Sequence, residues 1–426
     1  MKVSQSARSV ARWASEKRSL AASAATGSGV GGGAFPMRWL TLSPPRAWQD
    51  QGVRTAIVSD LHLGAANDSD MLRRREALDV LLGGISGSDR LVLLGDVIEL
   101  RDRPLGEAIE LAVPVLEEIA QSVDGDLVLV PGNHDHRLVS GWLEQRALAG
   151  RRPLRLADRA RIDAWPASAL RDALGDVEWR ISYPGLWVRD DVYATHGHYL
   201  DRHLTIPTFE RLGLALVERT LGLSPALPDP LDDPNHQPEP DSPDDYEQIT
   251  APIYAFLFAL AQAGPLSGHP GGTPSKRVWD ALSGGDSAAG KIRGWLLGSV
   301  ALPGAVGVAN RLGLGPVRAD LSPGAITRAG VSAMGEVVER LRIDARHVVF
   351  GHTHRRGPMP GEDEWHREGR GPNLWNAGSW VHSPSLLRSR ADNSPYWPGT
   401  VVFVDDEGPP RMEHLLDDWT REDLEP

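Results

Sequence analysis

The stretch Thr55-Ala56-Ile57-Val58-Ser59-Asp60-Leu61-His62-Leu63 joins a short apolar run to a carboxylate and an imidazole two positions apart. A run this short and this rich in β-branched residues reads as a buried strand rather than a helix. The same join recurs four times. Residues 91–94 run into Gly95-Asp96-Val97-Ile98-Glu99, and residues 127–130 into Pro131-Gly132-Asn133-His134-Asp135. Residues 192–194 run into Thr195-His196-Gly197-His198, and residues 348–350 into Gly351-His352-Thr353-His354. Between the early runs, residues 71–82 and 105–120 carry helical spacing. Short apolar strands alternating with amphipathic helices mark an α/β fold. In open α/β sheets, sites form beyond the carboxyl ends of the strands, so these five loops are expected to converge.

Spacing supports convergence. Residues i and i+2 of an extended segment point the same way, so Asp60 with His62, and His352 with His354, can reach one point together. Any one of these blocks occurs readily by chance, because Asp-rich turns are common. Five in order, each at a strand end, are not a chance pattern.

Composition narrows the chemistry. The 426 residues contain no cysteine, which excludes disulfide frameworks, thiolate zinc sites, iron–sulfur clusters and thiol nucleophiles. Any metal must be held by Asp, Glu, Asn or the 14 histidines. Lys+Arg is 45 against Asp+Glu 57, a net charge of −12, which disfavours nucleic acid as a general partner. The only lysines are Lys2, Lys17, Lys276 and Lys291; with abundant Arg, Ala, Gly and Pro this reads as a GC-rich, bacterial coding sequence. No uncharged apolar stretch reaches the ~18–20 residues of a membrane span.

The rhythm sets the expected organisation. Residues 1–52 form a basic, Ser/Ala/Gly-rich tail, either disordered or preceding a true start at Met37. Residues 53–200 and 341–426 form the motif-bearing domain, and 201–340 an inserted, mainly helical cap. Within the insertion, residues 224–248 hold seven prolines and eight acidic residues and read as an exposed loop. Residues 249–263 and 294–310 are apolar and helical in character. Residues 178–181 and 186–188 read as a strand pair around a Tyr183-Pro184-Gly185 turn, and residues 374–377 and 401–404 as strands of a second sheet.

Taken together, Asp60-x-His62, Gly95-Asp96, Gly132-Asn133-His134-Asp135, His196 and Gly351-His352-Thr353-His354 resemble the five motifs of the calcineurin-like metallophosphoesterase superfamily. The resemblance covers residues 53–200 and 341–405 and leaves the tail and the insertion unaccounted for. It implies a two-sheet mixed β-sandwich flanked by helices. It also implies one metal on Asp60, His62, Asp96 and His354, and a second on Asp96, Asn133, His196 and His352. In the same pattern His134 faces the substrate phosphate as proton donor or charge stabiliser, and Asp135 orients it. Such donors favour Mn, Fe, Zn or Co over Mg or Ca. Two divalent ions against two carboxylates leave the site about +2, and their bridging hydroxide is the expected attacking group.

The expected activity is therefore hydrolysis of a phosphomonoester, phosphodiester or pyrophosphate bond in the cytoplasm. The substrate is a phosphorylated small molecule or a lipid-linked one. A scaffold with a decayed site and a nuclease are the rival readings. Ser59-Asp60-Leu61-His62-Leu63 with Gly95-Asp96-x-x-Glu99 is similar to the UDP-2,3-diacylglucosamine pyrophosphatase branch, which also carries a helical insertion between its fourth and fifth motifs. Two departures stop its substrate being carried over: His134 stands where that branch has Arg, and His196-Gly197-His198 where it has His-Gly-Asp. Diadenosine-tetraphosphatase and Ser/Thr phosphatase relatives would show Asp-Arg-Gly after the second motif, where Val97-Ile98-Glu99 follows. The apolar insertion suits either a lid for a lipid-linked group, resting on a membrane surface, or a cap packed on itself or another subunit.

Secondary candidates divide between site and scaffold. Glu99 either braces a ligand histidine or is solvent-exposed, and Asn376 is placed to hydrogen-bond near the site. Arg355 and Arg356 either touch phosphate or form surface salt bridges. His136, His198, His203 and His382 lie near motifs. Trp365, Trp375, Trp380 and Trp397 serve either core packing or substrate stacking.

Overall fold

Alternation along Thr55–Val58 (β1) already separates two cores: Ala56 and Val58 pack into one apolar cluster and Ile57 into another. The computed structural model describes residues 53–123, 125–150, 152–205, 211, 213–215, 217, 240–262, 323–366, 369, 371–384, 386–387 and 390–425. The expected tail at 1–52, the apolar stretch 294–310 and most of the Pro/acidic segment lie outside these residues. After β1 come α1 (Arg75–Ile85), β2 (Arg90–Leu93), α2 (Leu105–Gln121), β3 (Asp126–Leu129), α3 (Arg137–Leu148), β4 (Ala157–Ala160) and α4 (Ala167–Leu174). Then follow β5 (Trp179–Arg189), β6 (Val192–Thr195), α5 (Pro243–Gln262), α6 (Pro323–Arg340) and β7 (His347–Phe350). The chain closes with β8 (Arg356–Gly357), β9 (Asn373–Ala377), β10 (Thr400–Val404), β11 (Arg411–His414) and α7 (Arg421–Leu424).

The strands form one hydrogen-bonded path in the order β11-β10-β1-β2-β3-β5-β6-β7-β9-β8, with β4 on the side of β5. Strands β1, β2 and β3 are parallel neighbours, as are β6, β7 and β9. The path divides at β5. Its first part pairs with β3 and β4, and Gly185–Arg189 pairs with β6. The two halves stack face to face through Ile57, Val92, Val128 and Val402 on one side and Leu186, Val192, Ala194 and Val349 on the other. Outside the first half lie α1 and α2, whose buried Leu78, Leu81 and Ile85, and Ile109, Ala112 and Leu116, recur at helical spacing. Outside the second half lies α6, which sets Met334, Val337 and Val338 against Val348 and Phe350. The result is a mixed α/β sandwich with helices on its outer faces.

Several local expectations are corrected. Residues 179–189 are one strand, not two around a turn. Pro184 sits where the strand changes partners, and a residue without an N–H is tolerated there. Residues 71–73 form a separate 3-10 turn, because Arg74 is extended (ψ 128°) and restarts the helix. Strand β10 pairs with β1 in the first half, not in the second. The end of the acidic segment also packs: Pro243, Tyr246 and Glu247 are buried in the first turns of α5.

Candidate metal centre

The loops after β1 and β2 are fastened to each other by their backbones. Asp60 N donates to Gly95 O (3.1 Å), His62 N to Asp96 O (2.8 Å) and Leu63 N to Val97 O (2.9 Å). The loop after β7 joins them through His352 N to Asp60 Oδ2 (3.0 Å), and joins the β6 loop through Gly351 N to His196 O (2.9 Å). These are the ends of two adjacent parallel blocks, so the topology itself brings the five loops together. Close approach demands glycine in these loops. A Cβ on Gly132 would collide with Asp96 Oδ1 and the His196 ring, and one on Gly351 with Ser59 and Asp60.

Backbone strain concentrates here as well. Among the described residues seven non-glycines have positive φ, and five of them are Asp60 (55°), His62 (47°), Asp96 (50°), His352 (68°) and His354 (55°). Such conformations persist where the surroundings force them, commonly at functional sites.

Asp60, His62, Asp96 and His354 each offer a donor atom, all within 4.8 Å of one another; Asp96, His196 and His352 do the same. Asp96 belongs to both groups. Asn133 Oδ1 completes the second, 3.1 Å from His196 Nε2 and 3.1 Å from His352 Nδ1. Turned by 180°, the amide would donate to both rings and to Asp96; with a cation bound, the oxygen would be the atom turned inward. All seven residues expected as ligands from the motifs are thus gathered at one place.

Outer hydrogen bonds decide which ring nitrogen each histidine presents. His62 Nδ1 meets Glu99 Oε2 (2.9 Å), and His196 Nδ1 donates to the Leu94 carbonyl (2.9 Å), leaving both Nε2 atoms inward. His352 is the reverse: Nε2 meets Asp201 Oδ1 (2.8 Å) and Nδ1 faces inward. A cation suits what remains. Asp60 Oδ1 is buried without a hydrogen-bond partner, and His62 Nε2 and His354 Nε2 face each other at 3.1 Å. These residues fit a pair of divalent ions, with imidazole, carboxylate and amide donors.

The charges interlock. Burial alone would lower the His62 and His196 pKa values. The Glu99 hydrogen bond and the Asp96 charge outweigh it for His62, raising it to about 9; Asp96 does the same for His196, raising it to about 10. Burial would raise Asp96 and Glu99, yet the surrounding histidines hold both below the usual carboxylate range. His354, where burial prevails, falls to about 4.

His134 stands beside the first group, its Nδ1 2.6 Å from Glu99 Oε2 and its Nε2 4.0 Å from Asp96 Oδ2. Asp135 does not orient it. The Asp135 carboxylate accepts from the backbone N–H groups of Gly132 (2.7 Å) and Val97 (2.8 Å), so it shapes the loop instead. Glu99 holds His134, and this residue is buried rather than exposed. The Asp96-x-x-Glu99 spacing carried that signal. Asp201 and Arg101 carried none in the sequence. Arg101 Nη2 donates to the Asn133 carbonyl (2.6 Å), and Asp201 sits in the 3-10 turn His198–His203.

The remaining candidates sort clearly. Asn376 donates to Gly351 O (3.0 Å) and Thr353 Oγ1 (2.8 Å), bracing the loop of His352 and His354. Arg355 pairs with Glu362, and Arg356 with Asp417 (2.6 Å); both arginines are buried and turned to the scaffold, not to phosphate. Trp365, Trp380 and Trp397 are core, and Trp375 is partly buried with its indole on His347. His203 bonds Tyr246 (2.7 Å), while His382 is buried away from the cluster's hydrogen bonds.

Residues 53–255 match the family model for calcineurin-like phosphoesterases. The phosphoesterase match takes in Asp60, His62, Asp96, Asn133, His134, Asp135 and His196, and stops within α5. His352 and His354 lie beyond it and reach the same donor cluster through β7. No curated protein matches the chain. A solved structure of a cold-active protein-tyrosine phosphatase from the psychrophile Shewanella sp. shares 13% identity over 84% of this chain and 80% of that one, with a TM-score of 0.25. A second structure of cold-active protein tyrosine phosphatase gives 13% identity, 86% and 80% coverage and the same TM-score, 0.25. Likeness at that level says nothing of fold or substrate.

Proposed function

We propose that the protein is a dinuclear-metal phosphohydrolase cleaving a phosphomonoester, phosphodiester or pyrophosphate bond in a small or lipid-linked substrate. The observation that carries this reading is the pair of donor groups sharing Asp96, with the outer nitrogens of His62, His196 and His352 already bonded. Asp60, His62, Asp96 and His354 would hold one ion, and Asp96, Asn133, His196 and His352 the other. Bound there, two divalent ions supply Lewis-acid polarisation of the phosphoryl group and activation of water.

The chain's own residues do the rest. Glu99 fixes the His134 ring by its Nδ1, leaving Nε2 on the side of the cluster. An imidazolium there, its charge balanced by Glu99, can place its Nε2 proton on the departing oxygen. Arg101 and the Asp135 carboxylate hold the Asn133-His134 loop in place for that transfer.

A screen of phosphomonoesters, phosphodiesters and nucleoside diphosphates with Mn²⁺ supplied tests the reading. Chelation is expected to abolish turnover, and so are Asp96→Asn and His352→Ala. Full turnover by metal-free protein would overturn it.

A further inference from the structure

Behind the metal-site loops, buried polar groups converge on Glu247 of α5, within the inserted segment. Its Oε1 accepts from Tyr183 Oη (2.5 Å) and Tyr199 Oη (2.6 Å), and its Oε2 from His136 Nε2 (2.8 Å). Each donor belongs to a different part of the phosphoesterase domain. Tyr183 is in β5, His136 caps α3 just after Asn133-His134-Asp135, and Tyr199 lies three residues after His196. His198 joins the group: its Nε2 is 3.2 Å from Tyr183 Oη, and its ring lies 5.7 Å from that of His196.

The same helix touches the site at a second point. The Tyr254 ring packs 5.2 Å from that of His136 and 5.0 Å from the Arg101 guanidinium, which holds the Asn133 carbonyl. Burial would raise the Glu247 pKa, but His136 and the two tyrosines hold it below its ordinary value, so the carboxylate keeps its charge. A buried anion with three donors from three elements cannot shift without breaking all three hydrogen bonds.

We infer that Glu247 is a positioning residue. Through His136 and Tyr199 it holds the inserted helix against the loops that present Asn133 and His196, and so sets the metal position those residues form with Asp96 and His352. The inference rests on the two-metal reading. It makes the insertion part of the site's construction, whatever it contributes to substrate choice.

The test uses the full chain. Mn²⁺ titration calorimetry is run on wild type, Glu247→Gln and Tyr199→Phe, together with hydrogen–deuterium exchange on the metal-free proteins. Glu247→Gln keeps the shape of the side chain and removes the charge, so it is judged alongside Glu247→Ala, the variant more prone to unfold. Expected is a loss of ~10–100-fold in affinity at one of two Mn²⁺ sites with the other unchanged, and faster exchange in residues 131–136, 196–203 and 243–262. A merely structural role would weaken both sites together. Titrations and exchange in folded Glu247→Gln and Tyr199→Phe indistinguishable from wild type overturn the inference. Wild type that binds two Mn²⁺ but hydrolyses nothing overturns the phosphohydrolase reading alone; wild type that takes up no Mn²⁺ overturns both.

Discussion

Glu99 holds two histidines with one oxygen: Oε2 lies 2.9 Å from His62 Nδ1 and 2.6 Å from His134 Nδ1, while Oε1 accepts the Arg101 N–H (2.8 Å). A single side chain therefore orients both a candidate ligand and the candidate proton donor. Glu99→Gln is expected to cost ~10–100-fold in affinity at the metal position containing His62, as removal of such a partner generally does; Mn²⁺ titration reads this directly. His134→Gln separates the two roles. It should leave metal content unchanged and lower kcat by about 10²–10⁴-fold on alkyl phosphoesters, whose leaving oxygen needs a proton. With p-nitrophenyl phosphoesters the loss should be much smaller, since that leaving group departs unprotonated. Equal losses on both substrates would remove His134 from the acid role.

The elements were legible wherever apolar periodicity runs unbroken, and less so at their polar ends. Strands β2, β3 and β7 each begin one residue before their apolar runs, at Arg90, Asp126 and His347. Arg90 and Asp126 are register partners, so the polar residues at the strand entrances pair across the sheet, a relation no single strand displays. The site was legible because its residues sit at strand exits, where a periodic run stops and a chemical motif starts. Asp201 was not, because its partner His352 lies 151 residues away in sequence. Nor was Glu247, since Tyr246 and Glu247 are buried inside a segment whose average composition is that of a solvated loop. Loop geometry yields its own prediction. Gly132→Ala would drive a methyl group into Asp96 and His196. The protein should stay folded by circular dichroism yet bind one Mn²⁺ instead of two, with turnover lost; two sites at wild-type affinity would show that the β3 loop can yield.

For the whole molecule, the net charge of −12 is accompanied by a site crowded with buried carboxylates: Asp60, Asp96, Glu99 and Asp201. Against two divalent ions these four bring the centre to about neutral, below the +2 that the motifs alone suggest. Without metal the same carboxylates draw protons onto the histidines. His62 is raised to about 9 and His196 to about 10, from an ordinary 6.5. A base whose folded pKa is raised contributes stability that is fully present below about pH 6.5 and lost as pH climbs through 9 to 10. His354, lowered to about 4, and His203, lowered to about 3, act oppositely: their contribution is present above about 6.5 and lost as pH falls. Metal-free protein should therefore be most stable near neutrality and weaken on the alkaline side. Divalent ions bound there would displace the protons of His62 and His196, so loaded protein would escape the alkaline loss and metal affinity would rise with pH. The gap in Tm between Mn²⁺-loaded and chelator-treated protein should widen steadily from pH 6.5 to 9 in a thermal-shift series. A gap that stays constant across that range would mean that these two histidines are already neutral in the metal-free fold, so that metal binding displaces no protons between pH 6.5 and 9.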